Sequence, residues 1–98
     1  MLYDEIIRRI VAYIDRYNGK YTDWYVGIAA DPKERLFTDH CVTEETDLWI
    51  YVEALDTDHA RTAEDRLVNE HGFCGDTSGG DSNTTHVYAY RKTDRTNE

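Results

Sequence analysis

The sequence predicts a small mixed α/β (α+β) domain, a three-stranded sheet packed with three helices in the order α-β-α-β-α-β. Three observations carry that expectation. Residues Leu2–Tyr17 repeat apolar side chains at helical spacing. Short strand-like stretches lie at Trp24–Ala29, Leu48–Leu55 and His86–Arg91. Between them stand two helix starts, Asp31-Pro32 and Asp56-Thr57-Asp58.

A chain of 98 residues fits one domain. We place that domain at 1–92 and expect 93–98 to be a frayed polar tail. The hydrophobic fraction of 40 % and aromatic fraction of 12 % are those of a globular chain rather than a disordered one. The net charge of −9 argues against an open, non-specific nucleic-acid surface, because phosphate binding is driven by Lys and Arg. It leaves room for a small basic pocket and for a protein partner. No apolar run approaches the roughly 20 residues of a membrane span, and the mixed-charge N-terminus lacks the apolar core of a signal peptide. No membrane association is expected, and cytoplasmic residence follows, with Cys41 and Cys74 reduced.

In the first helix, Leu2, Ile6, Ile7, Ile10, Val11 and Ile14 share one arc at about 100° per residue, and Asn18-Gly19 ends it. Lys20–Asp23 is a connector. Trp24, Val26 and Ile28 then share one face of a strand, and Tyr25, Gly27 and Ala29 the other. Gly27 inside that strand suggests close backbone approach. Asp31 can cap a short helix, with Pro32 at its first position and Glu34 closing a capping-box pattern; this helix runs to about Asp39 or His40. After the acidic loop Cys41–Asp47, LWIYVEAL is the most continuously apolar strand, and the expectation is that it lies at the centre of the sheet. A further helix spans His59–His71 and ends at Gly72. The Gly-, Ser- and Asp-rich stretch 75–84 is long for a compact domain. HVYAYR is the last strand. Strand directions stay open, parallel or mixed.

The helix His59–His71 carries the most informative residue. Ala60, Ala63, Leu67, Val68 and His71 define its apolar arc, and Glu64 falls about 40° from Ala60, inside that arc. A carboxylate on a buried face is costly unless it is paired, protonated or metal-bound. A structural pair with an arginine or tyrosine and a functional role weigh about evenly. Taken singly, Tyr25 reads as strand packing and Arg35 as an exposed helix charge.

Together these residues resemble a known pattern. Tyr25-Val26-Gly27, a turn, and Arg35-Leu36 ten residues after Tyr25 look like the second half of the GIY-YIG nuclease motif, and Glu64 in ARTAEDRLV is similar to that superfamily's glutamate helix. The likeness covers roughly residues 24–70. No strand containing Gly-Ile-Tyr is visible before Trp24; the nearest position, Val11-Ala12-Tyr13, is helical. The resemblance implies a GIY-YIG-like fold and Mg²⁺-dependent hydrolysis of a phosphodiester in nucleic acid. Glu64 would bind the metal, Arg35 would stabilise the phosphorane charge, and Tyr25 would position or activate the attacking water. His40 and Asn83 would contact substrate, although His40 lies one residue further along than the motif leads one to expect.

Two other patterns are weaker. The stretch GDTSGGDSNTT lacks the Gly-Lys-Ser/Thr of a phosphate loop and does not match an EF-hand. His71 with Cys74, and His40 with Cys41, are spaced like zinc ligands without a second supporting pair. Two functions follow: a metal-dependent phosphodiesterase, active or degenerate, or a non-catalytic module of the same fold that binds a protein or a small ligand.

Overall fold

A computed structural model describes residues 1–17, 19–75 and 85–96. The chain runs α1 (Tyr3–Asp15), a 3₁₀ turn (Tyr21–Asp23), β1 (Trp24–Ala29), α2 (Pro32–Glu34) continuing as a π-helical turn (Arg35–Asp39), β2 (Trp49–Glu53), α3 (Thr57–His71) and β3 (His86–Arg91). The fold is mixed α+β, as expected.

Both strand pairings are antiparallel, in the order β1-β3-β2. The expectation that LWIYVEAL is central is therefore corrected: β3 holds the centre and β2 an edge. The near-continuous apolar character of β2 has another origin. Val52 is buried among the helices, while Trp49 and Tyr51 point to the opposite face, half-buried against a second apolar cluster.

Each face of the sheet has its own cover. On one, Trp24, Val26, Ile28, Val87 and Ala89 meet Ile6, Ile10 and Ile14 of α1 and Ala60, Ala63 and Leu67 of α3. Each buried isoleucine of α1 contributes about 1.5–3 kcal/mol relative to exposure. On the other face, Tyr25, Ala29, Tyr88 and Tyr90 meet Leu36 and Val42, so the short second helix and the segment after it close a smaller aromatic core.

The ends of the elements are set locally. Asp31 accepts a hydrogen bond from the Glu34 N–H (3.2 Å), and Asp56 one from the His59 N–H (2.9 Å), so each helix start has the cap its sequence announces. Gly72 ends α3 with φ +85°, a left-handed conformation that glycine adopts without steric cost. The chain then returns beside β1, where Val26 N donates to the Cys74 carbonyl (2.8 Å) and Cys74 N to the Trp24 carbonyl (2.9 Å). In the tail, Thr93–Thr96 closes a turn, and Arg95 pairs with the buried Asp47 carboxylate at 3.1 Å. Among the described residues no helix is long and apolar enough to cross a membrane.

Candidate functional site

The aromatic face of the sheet is built by register. Tyr25 pairs with Tyr90, and Gly27 with Tyr88, across the β1–β3 ladder. Side chains of paired residues project from the same face, so β3 sets two phenols beside β1. Gly27 makes room for one of them: a Cβ there would run into the ring and hydroxyl of Tyr88. The glycine in Tyr25-Val26-Gly27 thus has a defined physical task.

His40 joins the two phenols. Its Nε2 lies 2.8 Å from the Tyr88 hydroxyl and its Nδ1 lies 3.1 Å from the Tyr90 hydroxyl. A neutral imidazole donates through one nitrogen and accepts through the other, so one phenol donates to His40 while the other accepts from it. The Tyr25 ring lies against His40 (centroids 5.0 Å apart) and stacks on Tyr90 (5.4 Å). His40 is only 7 % exposed.

The backbone that delivers His40 is unusual. After α2 the chain opens into a π turn, with the His40 N–H donating to the Arg35 carbonyl at 2.9 Å, an i→i+5 bond. The π turn holds one residue more than an α-helical turn, so His40 follows Arg35 by five residues yet returns to nearly the same side of the helix. Directly after it, Cys41 has φ +59°, uncommon for a residue with a side chain, and Val42 N then closes on the Leu36 carbonyl (2.9 Å).

Arg35 stands at the rim, its side chain 49 % exposed, with Nη1 3.2 Å from an Asp39 carboxylate oxygen. That hydrogen bond is the main reason its pKa lies above the ordinary arginine value; partial burial opposes it, and Tyr88, the Asp39 charge and Tyr25 add to it. Glu64 comes from α3 and is 2 % exposed, as the helical periodicity indicates. Tyr88 feels all of these groups. Burial comes first in lifting its pKa well above that of an ordinary phenol; Tyr25, Glu64 and Asp39 raise it further, and Arg35 pulls it down.

Tyr25, Arg35 and Glu64, singled out from the sequence, therefore all act electrostatically on one phenol, to which His40 is bonded. Asn83 lies outside the described residues. Tyr88 and Tyr90 were not identified as site residues from sequence, although the alternation in HVYAYR placed them on one face. The histidine–cysteine pairs are engaged separately. Both nitrogens of His40 face phenols, His71 packs edge-on against Tyr21, Cys41 Sγ lies 3.9 Å from the Thr38 carbonyl, and Cys74 Sγ lies 2.9 Å from Lys92 Nζ. Among the described residues no group of three or more His, Cys, Asp or Glu side chains is arranged to hold a metal. The carboxylates whose charge Tyr88 feels are those of Glu64 and Asp39. Mg²⁺ commonly takes only one or two carboxylates and fills the rest of its shell with water and substrate, so a magnesium site needs fewer protein ligands than a zinc site.

Compared with known proteins, the chain matches no family model, no curated protein and no solved structure.

Proposed function

We propose that this chain is a GIY-YIG-like metal-dependent phosphodiesterase acting on nucleic acid. The observation that carries the reading is the environment of Tyr88: a phenol bonded to His40, cleared by Gly27 and felt by Tyr25, Arg35 and Glu64. It also supplies, from the C-terminal strand, a tyrosine-bearing neighbour for β1 that is not visible before Trp24.

In this reading the residues divide the work. Glu64 would hold a magnesium ion, which when bound would supply Lewis-acid charge to the phosphoryl oxygen. Arg35, at the rim, places its guanidinium where the transferred phosphoryl group gathers charge. Tyr88 is too weak an acid to act as a free phenolate, so it hands a proton from water to His40 Nε2, and Tyr90 holds the other imidazole nitrogen. Tyr25 packs the imidazole in place and faces the same charges.

The test is cleavage of labelled single- and double-stranded oligonucleotides by purified protein with Mg²⁺ or Mn²⁺. Metal-dependent cutting that Glu64→Ala abolishes and Tyr88→Phe weakens supports the reading. Equal cutting by Glu64→Ala, or no metal-dependent cutting of any substrate, overturns it. The second reading, a binding module of the same fold, is favoured by the tight burial of Glu64, by phenols already engaged with His40, and by the net charge of −9. Its sign is an intact fold without cleavage.

A further inference from the structure

The outer edge of β2 presents a different surface. The bonds Arg91 N to the Leu48 carbonyl (3.0 Å) and Ala54 N to the Thr85 carbonyl (2.8 Å) continue the β2–β3 register. They direct the main-chain groups of Ile50 and Val52 toward β3, so those of Trp49, Tyr51 and Glu53 point away from the sheet. The ends of this edge are blunted. The Trp49 N–H is directed at the Tyr13 hydroxyl, and the Glu53 carbonyl accepts from Met1 N at 3.1 Å. Between them, the N–H and C=O of Tyr51 make no hydrogen bond among the described residues.

A groove of about 350 Å³ lies where α1 passes this strand, lined by Arg9, Ala12, Tyr13, Arg16 and Ile50. A second hollow, of about 320 Å³, continues along α1 past Arg8 and Glu5 to Met1. Its floor is partly apolar and its rim is basic. Arg9 and Arg16 are exposed, and among the described residues neither has a carboxylate within ion-pair distance; Arg8 reaches Asp4 only at 4.0 Å. In a chain of net charge −9, arginines without an ion pair beside an open strand edge are a local reversal of sign.

We propose that this groove binds an extended acidic peptide segment of a protein partner. The segment adds a short strand at Tyr51, exchanging main-chain hydrogen bonds there, and sets its carboxylates on Arg9 and Arg16. Strand addition explains why an open edge matters, and the arginines select for acidic sequence. A nucleic acid would use the same cations but leave the Tyr51 main chain unpaired. The inference does not depend on phosphodiesterase activity, since the groove uses none of the residues around Tyr88.

The probe is a fluorescein-labelled peptide of alternating Glu and Val, followed by anisotropy with the full chain. Binding is expected to weaken with salt and to fall by about tenfold or more in Arg9→Glu/Arg16→Glu; both positions are exposed, and unchanged ellipticity checks the fold. N-methylation of one alternate set of peptide amides should abolish binding while methylation of the other set leaves it. Hydrogen exchange at the Tyr51 amide should slow in the complex. No peptide binding, equal binding by the charge-reversed variant, indifference to both methylation patterns or an unprotected Tyr51 amide each overturns the proposal. So does a single-stranded oligonucleotide that binds through Arg9 and Arg16 when the peptide does not.

Discussion

Gly27 and Tyr88 face each other across the β1–β3 ladder, and the space of the absent glycine side chain is filled by the phenol. Glycine within a strand ordinarily costs about 0.5–1 kcal/mol relative to alanine. Here the sign reverses, because a methyl group would displace a ring that is 3 % exposed and bonded to His40. Gly27→Ala should destabilise the fold by about 1–3 kcal/mol, as overpacking does, measured as a lower denaturant midpoint at unchanged slope. A more stable Gly27→Ala protein would show that Tyr88 does not depend on this gap.

Tyr88 should leave a mark on stability at high pH. Burial is the first cause of its raised pKa, followed by the like charges of Tyr25 and Glu64. A folded pKa above the unfolded one means that the native state binds the proton more tightly. The resulting stabilisation is complete below the unfolded value of about 10 and is lost as pH rises through it toward the folded value. Tyr13 and Tyr21 are raised as well, both chiefly by burial, and act in the same direction. Denaturant midpoints should fall above pH ~10, and Tyr88→Phe should flatten part of that fall. The substitution also leaves the buried His40 Nε2 without its phenol, at a cost of about 1–3 kcal/mol near neutral pH. An unchanged alkaline slope in Tyr88→Phe would place the raised phenol elsewhere.

What was legible in the sequence follows from the range of the forces involved. Element types and helix caps were readable because periodicity, Asp31, Asp56 and Gly72 act within a few residues. Glu64 was readable because helix geometry alone puts it on a buried face. The place of β3 was not, because strand order is decided by contacts distant in sequence, such as Tyr25 with Tyr90. For the same reason β2 read as central: Trp49 and Tyr51 look like core residues but cover the second face at the edge. Tyr88 and Tyr90 were visible as an alternating pair, yet only the sheet register brings them to Gly27 and Tyr25. The π turn was hidden because a run such as RLFTD fits an α-helical turn equally well.

Glu64→Gln separates charge from packing. Glutamine keeps the volume and shape of the side chain, with one acceptor oxygen replaced by an NH₂ donor, while removing the negative charge that helps hold the Tyr88 proton. The phenol should then titrate at lower pH than in the parent protein, while Tyr21, raised by burial and by Asp15, stays where it was. Site-resolved tyrosine NMR across the alkaline range reads both. An unmoved Tyr88 would mean that Glu64 lies too far from the phenol to share a site with it, and the proposed metal position would go with it.

His40 tests whether one extra residue is what the π turn accommodates. The His40 N–H bonds to the Arg35 carbonyl across five residues. Deleting the exposed Thr38 shortens that span to the four of an α-helix, leaving His40 on nearly the same side of the turn. Arg35 and Asp39 become three apart, still neighbours on a helix surface. The deletion variant should therefore fold with stability within about 1 kcal/mol of the parent, since it exchanges a π turn for an ordinary one. Its Tyr88 should remain hard to ionise, because His40 still covers the hydroxyl and burial is what chiefly raises its pKa. Inserting an alanine after Thr38 should do the reverse. It rotates His40 by about 100° away from the phenols, lowers the denaturant midpoint and releases Tyr88 to titrate closer to an ordinary phenol. If deletion and insertion are equally damaging, the turn is required in its own right, and its extra residue is not an accommodation of His40.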